Sequence, residues 1–334
     1  MTNILLTGGA GYIGSHTAKA LAAAGYLPVV LDNFSTGNPW AVKWGPLVQG
    51  DIRDYDLVSE TLARYKIAAV IHLAGSALVG ESNRVPQNYF DNNVAGSLGL
   101  FKALLDGEVR RVVFSSTCAT YGNSRRRLIT EDHPQAPVNP YGESKLFVER
   151  ALHWYGRCFD LRSVCFRYFN AAGADPEGEI GEQHDPETHL IPLTIHAALG
   201  RKKCVRVYGT DFPTRDGTAV RDYVHVTDIA RAHLMALEYL LKGGESQCLN
   251  LGTGRGHSVN EVIEMTRKVS GARLTVRLMQ RREGDPASLV ADARKAGVVL
   301  GWKPVSSDLR TMVETAWRWS AGVRLAVGAT MARG

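Results

Sequence analysis

The stretch Thr7-Gly8-Gly9-Ala10-Gly11-Tyr12-Ile13-Gly14-Ser15 decides the fold. It follows a short apolar run, Asn3–Thr7, and precedes a helix-length segment, Ser15–Ala24, so Gly9-x-Gly11-x-x-Gly14 sits at a strand-to-helix turn. Glycines there let the backbone turn sharply and approach a pyrophosphate, whose charge the free N–H groups and dipole of a helix N-terminus stabilise. A tight turn that binds nothing would use the same glycines. Asp32 argues for the ligand, because it stands 18 residues beyond Gly14 at the end of the second apolar run. A carboxylate at that point accepts the 2′- and 3′-hydroxyls of an adenosine ribose and repels a 2′-phosphate. The first basic residue after it is Lys43, so NAD is expected rather than NADP.

Outward from this unit, β-branched or leucine-rich runs at Pro28–Leu31, Ala69–Leu73 and Arg111–Ser115 alternate with helix-length stretches. Val70-Ile71-His72-Leu73 and Val112-Val113-Phe114 are nearly continuous in apolar residues, as strands buried on both faces of a parallel sheet are. The expected fold class is therefore α/β, a Rossmann-type doubly wound parallel sheet. A long helix is expected from Tyr141 to about Cys158 with Pro140 at its boundary, then a strand at Leu161–Phe166. Beyond Asn170, Gly-, Pro- and Asp-rich loops (Ala174–Pro186, Gly209–Gly217) mark a smaller C-terminal α/β substrate lobe. The expected division is 1–169 for the dinucleotide domain, with strand and helix returns near 222–251, then 170–320 for the substrate lobe and 321–334 as a flexible tail. Within the lobe, Ser258-Val259-Asn260-Glu261 reads as a capping box opening a helix to Ser270, and Leu309–Ser320 as a last amphipathic helix carrying Trp317 and Trp319.

The 334 residues carry Lys+Arg 39 against Asp+Glu 33, a formal +6, with 45% hydrophobic residues, enough to build a core and to exclude disorder. No window approaches about 18 consecutive apolar residues and no basic leader opens the chain, so neither a membrane span nor a signal peptide is expected and the cytoplasm is the default. Cys118, Cys158, Cys165, Cys204 and Cys248 are scattered without CxxC spacing and read as reduced thiols. Arg125-Arg126-Arg127, Arg201-Lys202-Lys203 and Arg281-Arg282 are separate short groups without a basic stripe, which gives no nucleic-acid groove. The histidines show no HExxH-type pairing, and no metal is expected.

Two segments carry reaction chemistry. Phe114-Ser115-Ser116-Thr117 ends a buried strand, and Tyr141-Gly142-Glu143-Ser144-Lys145 opens a helix with Tyr and Lys at i and i+4 on one face. A tyrosine with a pKa of about 10 in water becomes a base near neutrality if a lysine ammonium and a positive nicotinamide lower it. Tyr141 is then the base, Lys145 tunes it and Thr117 orients the substrate oxygen. Asp51, after Gly50, is either the adenine edge or the N-cap of a helix at Tyr55–Leu62. Cys118 beside Thr117 reads as a packing residue, with no base in reach.

Together the glycine motif, Asp32, the Ser115–Thr117 strand end and Tyr141-x-x-x-Lys145 resemble the extended short-chain dehydrogenase/reductases. Val79-Gly80-Glu81-Ser82, Tyr89-Phe90-Asp91-Asn92-Asn93, Arg167-Tyr168-Phe169-Asn170, Asp216-Gly217-Thr218, Val220-Arg221-Asp222-Tyr223 and Arg281-Arg282-Glu283-Gly284-Asp285 are similar to the UDP-glucose 4-epimerase branch, over residues 3 to 320 in order. The resemblance implies tightly held NAD, a UDP-sugar substrate, inversion at C4 through a 4-keto sugar, and a homodimer. It implies a cofactor site of Gly8, Gly11, Tyr12, Ile13, Gly14, Asp32, Asn33, Asp51, Ile52, Leu73, Ala74, Gly75, Asn92, Tyr141, Lys145 and Phe169. For the substrate it implies Thr117, Asn170, His189, Leu190, the Arg206–Tyr208 strand, Arg221 and Arg282 on the diphosphate, Asp285 on the uridine ribose, and Leu289. Arg221 could instead pair with Asp222 at the surface. Ala77 stands where many members have a lysine near the cofactor phosphates. Leu289 is intermediate between the bulky and small residues that set sugar size, which keeps UDP-pentoses and UDP-N-acetylhexosamines as alternatives to UDP-glucose and UDP-galactose. A dehydratase would need an Asp-Glu pair after Thr117, where Cys118-Ala119 stand. A net dehydrogenase would leave the second-lobe segments unexplained, and a non-catalytic sensor would not need both Tyr141 and Lys145.

Overall fold

The computed structural model describes residues 1–124, 127–282 and 285–331, with side chains as far as residue 322. Arg125, Arg126, Glu283, Gly284 and residues 332–334 therefore lie outside the described residues. The first half lays down β1 (Asn3–Thr7), α1 (Tyr12–Ala23), β2 (Leu27–Asp32), β3 (Leu47–Gln49), α2 (Tyr55–Tyr65), β4 (Ala69–His72), the short α3 (Val79–Ser82) and α4 (Pro86–Tyr89), α5 (Gly96–Asp106), β5 (Arg111–Ser115), α6 (Pro140–Phe159) and β6 (Arg162–Tyr168). The second half adds β7 (Asn170–Ala172), α7 (Leu190–Ala198), β8 (Val205–Tyr208), β9 (Val220–His225), α8 (Val226–Leu241), β10 (Gln247–Leu251), β11 (Gly256–Ser258), α9 (Val259–Ser270), β12 (Val276–Met279), β13 (Ser288–Leu289), α10 (Arg294–Leu300) and α11 (Leu309–Met331).

Seven strands form one parallel sheet in the order β10-β6-β5-β4-β1-β2-β3. Strand side chains alternate between faces, so β1 sends Ile4 and Leu6 to one core with Val30, Ile71, Val113 and Phe166, while Leu5 joins Val29, Val70, Val112 and Phe114 on the other. The first core is closed by α1 and α8 through Leu21, Ile229, Ala232 and Ala236, and the second by α2, α5 and α6 through Leu62, Leu104, Val148 and Leu152. Each fully buried aliphatic side chain contributes about 1.5–3 kcal/mol, which is why near-continuous apolar runs sit in mid-sheet. The chain reverses direction across the sheet between β1 and β4, and a crevice opens at the carboxyl ends of these strands.

Small sheets complete the second half: β9 pairs with β7, β11 and β13, and β8 with β12. Ile191 and Ile195 of α7, Val262 of α9, and Met312 and Val313 of α11 make a separate core. Ser258 and Glu261 form both halves of the capping box.

Several boundaries differ from the sequence reading. α1 begins at Tyr12, so Gly14 lies inside its first turn rather than before it. β6 runs two residues past Phe166, and β10 lies outside it as the edge strand. α2 is capped by Asp54, which accepts the Leu57 N–H at 3.0 Å, so the N-cap reading of Asp51 is corrected. α11 continues through Met331, where a tail was expected from residue 321; Ala, Leu, Arg and Met in that stretch are strong helix formers.

Candidate active site

One cavity of about 1640 Å³ runs along the carboxyl ends of the central strands and under the second-half loops. At one end lie Gly8, Gly11, Tyr12, Ile13 and Gly14. Gly8 has φ +71° and a Cβ there would sit 2.6 Å from the Ala74 nitrogen; a Cβ on Gly14 would sit 2.2 Å from the Gly8 carbonyl oxygen. Only glycine fits either place, and the fold holds the turn tight against β4. Gly11, the N-cap of α1, provides no side-chain cap, so the first-turn N–H groups open on the cavity. This cradle fits a dinucleotide pyrophosphate.

Asp32 closes that end. Its carboxylate accepts the Ala10 N–H at 2.9 Å and the Phe34 N–H at 2.8 Å; burial raises its pKa against those two bonds. Asn33, Ser35, Thr36 and Gly37 line the wall around it, and Lys43 donates to the Glu179 carbonyl at 2.8 Å. The wall beside the ribose position is uncharged apart from Asp32, which suits NAD and not a 2′-phosphate. Ile52, Leu73, Ala74, Gly75, Ala77, Asn92 and Phe169 also line the cavity. Asp51 does not appear in the lining, though Gly50 and Ile52 on either side do. Its carboxylate is taken by Arg53 and Asn33, both at 2.8 Å, and the Arg53 guanidinium holds it well below the usual carboxylate range.

In mid-cavity, Tyr141 and Lys145 project from the first turns of α6, which Asn139 caps by accepting the Gly142 N–H at 2.8 Å. The Thr117 hydroxyl hydrogen-bonds the Tyr141 phenol, and the Tyr89 ring meets the Tyr141 ring edge-on at 6.4 Å. Lys145 donates to the Ser115 carbonyl at 3.0 Å and lies 4.9 Å from the Phe114 ring centre. Burial pushes the Tyr141 phenol above the ordinary tyrosine value and pushes Lys145 down to about 8. Desolvation is the largest influence on both groups, so the lowered tyrosine pKa expected from a lysine ammonium together with a positive nicotinamide does not arise from the protein's own groups. Asn92 lies in a π-helical turn, Phe90–Ala95, and donates to the Ser76 hydroxyl at 3.1 Å. Cys118 is buried against Thr117 with its thiol pushed up to about 12 by burial, a packing residue as expected.

Beyond Tyr141 the walls turn cationic. Arg206, Tyr208, Arg221, Arg282, Asp285 and Leu289 line this end, with Asn170, His189 and Leu190. Arg282 stacks on Tyr208 at 4.4 Å and pairs with Asp285 at 3.3 Å. Arg221 is half-buried, and desolvation lowers its pKa while Asp285 opposes that. Its alternative partner, Asp222, is on the other face of β9 and receives Thr253, Gly254 and Ala291 instead. Lys202 and Lys203 also line the cavity, which revises their reading as plain solvated loop charge.

Folding also gathers residues that the sequence reading left apart. Glu182, His184, Glu187 and His189, in the segment leading into α7, all line the cavity. His189 Nδ1 lies 2.7 Å from Glu182 and 3.0 Å from Glu187, and His184 Nδ1 lies 3.2 Å from Glu182. Burial works to lower both histidines, yet the two carboxylates outweigh it, raising His184 to about 9 and His189 to about 10. The spacing E-x-H-x-x-E-x-H was the available signal, but loop spacing does not fix side-chain convergence as a helix does.

A dinucleotide cradle, a Tyr-Lys-Thr centre and a cationic far end in one cavity define a nucleotide-dependent enzyme acting on an anionic substrate. The chain belongs to the NAD dependent epimerase/dehydratase family, whose model matches residues 4–252. It is similar to UDP-glucose 4-epimerase of Rhizobium meliloti (strain 1021), 55% identical over 317 residues and covering 95% of this chain and 96% of that one. Among solved structures, UDP-glucose 4-epimerase from Brucella ovis in complex with NAD is 50% identical with TM-score 0.93, covering 95% and 98% of the two chains. That from Bifidobacterium longum in complex with NAD+ and UDP is 37% identical with TM-score 0.91, covering 96% and 98%.

Proposed function

We propose that this chain is an NAD-dependent UDP-hexose 4-epimerase, interconverting UDP-glucose and UDP-galactose. The observation that carries the reading is the continuity of one cavity from the Gly8–Gly14 cradle, past Tyr141 and Thr117, to Arg221 and Arg282. Gly8, Gly11, Tyr12, Ile13 and Gly14 would hold the pyrophosphate of NAD and Asp32 its adenosine ribose, with Asn92 and Phe169 bordering the nicotinamide, and NAD bound there would supply a reversible hydride acceptor for C4 of the sugar. Tyr141 removes the 4-hydroxyl proton and Thr117 holds the same oxygen; Lys145, cationic below about pH 8, together with the positive nicotinamide of bound NAD would favour the phenolate that burial alone disfavours.

Inversion requires the sugar to turn while the nucleotide stays fixed. Arg221 and Arg282 supply guanidinium–phosphate pairing, Asp285 the uridine ribose contact, and Arg206 and Tyr208 the nucleotide wall. Asn170, His189, Leu190 and Leu289 leave room around the sugar. In this reading residues 1–169, with α8 and β10, form the cofactor body, and 170–320 mainly the sugar-nucleotide lobe. Exposed Phe147 and Trp154, one face of α6 at i and i+7, support a homodimer joined there. A cytoplasmic enzyme agrees with five free cysteines and with no described helix being long and apolar enough to cross a membrane. Arg282→Ala should raise KM for UDP-galactose more than it lowers kcat; steady-state kinetics with an unchanged KM would remove Arg282 from the diphosphate.

A further inference from the structure

We propose that Glu182, His184, Glu187 and His189 form a binding site for one divalent cation of the zinc class. Their ligand atoms all lie within 4.8 Å of one another. The two imidazole Nδ1 atoms alternate with the two carboxylates around a ring, with N···O separations of 2.7, 3.0, 3.2 and 3.7 Å. Tetrahedral zinc bound at about 2.0–2.1 Å sets its ligand atoms roughly 3.3 Å apart, inside that spread. Shifts of a few tenths of an ångström bring all four into a coordination shell.

His184 Nδ1 is closed off from solvent and turned into the ring, 3.2 Å from Glu182 and 3.7 Å from Glu187, with its side chain 28% exposed overall. Both carboxylate side chains are 6% exposed or less. A cation entering the ring displaces the protons that the two carboxylates hold on His184 and His189, and the resulting two carboxylates and two neutral imidazoles match a double positive charge, a donor set that zinc accepts. The other acidic group, Asp175, Glu177 and Glu179, is no rival, because the Lys19 ammonium already reaches all three at 2.9, 2.5 and 2.6 Å.

The position, on the wall of the same cavity, gives the ion a structural task. His189 is the N-cap residue of α7. The Glu182 carbonyl accepts the Trp319 indole N–H of α11 at 3.2 Å, and the His184 ring meets Tyr12 of the glycine turn edge-on at 6.4 Å. A bound cation ties α7, α11 and the cofactor turn at one point.

The test uses the full chain without a polyhistidine tag, stripped with chelator and then given ZnCl2 or CoCl2. After gel filtration the wild type should retain about one zinc per chain by elemental analysis and show the intense visible bands of tetrahedral Co2+. His184→Asn with Glu187→Gln should retain none, with unchanged circular dichroism. A Co2+ spectrum no different from the hydrated ion overturns the proposal whether or not the variant folds. Equal zinc retention by wild type and the folded double variant overturns it as well.

Discussion

Tyr141 and Lys145 face one cavity because a helix returns to the same face every four residues, so their pairing is legible from spacing alone. Their protonation is not legible, because it depends on burial that only the assembled sheet, α4 and β6 create. Tyr141→Phe removes the proton acceptor while keeping the ring, and should lower kcat by about 10²–10⁴-fold with thermal stability retained. Activity within a few-fold of wild type would displace Tyr141 as the base. Thr117→Ser keeps the hydroxyl at the phenol, whereas Thr117→Val deletes it; the valine variant alone should lose roughly 10–100-fold in kcat, the 1.5–3 kcal/mol of a bond to a charged oxygen. Equal losses for both variants would make the methyl, not the hydroxyl, the working part. Asp51 shows the limit of reading single residues: Arg53, two residues on, occupies its carboxylate.

Elements were legible where local chemistry is strong. The capping box at Ser258 and the glycine turn, although α1 begins at Tyr12, are set by contacts within a few residues, and the apolar strands are legible because both of their faces are buried. β10 beside β6, and the convergence of segment 182–189, depend on pairings across long sequence separations that periodicity does not encode. The turn also bears the clearest element-scale prediction. Gly14→Ala places a methyl 2.2 Å from the Gly8 oxygen, so the start of α1 must shift and the cradle open. The purified variant should carry far less NAD, measured by absorbance after denaturation; wild-type NAD content would show that the turn tolerates the methyl.

Across the whole molecule, His16, His72, His225 and His233 are buried. Burial lowers His72 to about 3 and His16, His225 and His233 to about 4. Between these values and about 6.5 the unfolded chain binds protons that the folded chain refuses. Their contribution is therefore complete above pH 6.5 and is lost as pH falls toward 4. Tm should drop steeply over that window, and a flat Tm between pH 6.5 and 4 would show that these rings are protonated in the fold. The same body must hold NAD through each turnover for epimerisation to be redox-neutral. The most direct measurement is proton NMR of the purified enzyme with UDP-galactose and no added NAD, following the anomeric signals. Conversion to UDP-glucose at constant total sugar is the expected result. Continued silence after NAD is added, or stoichiometric NADH release with an oxidised sugar, would contradict it.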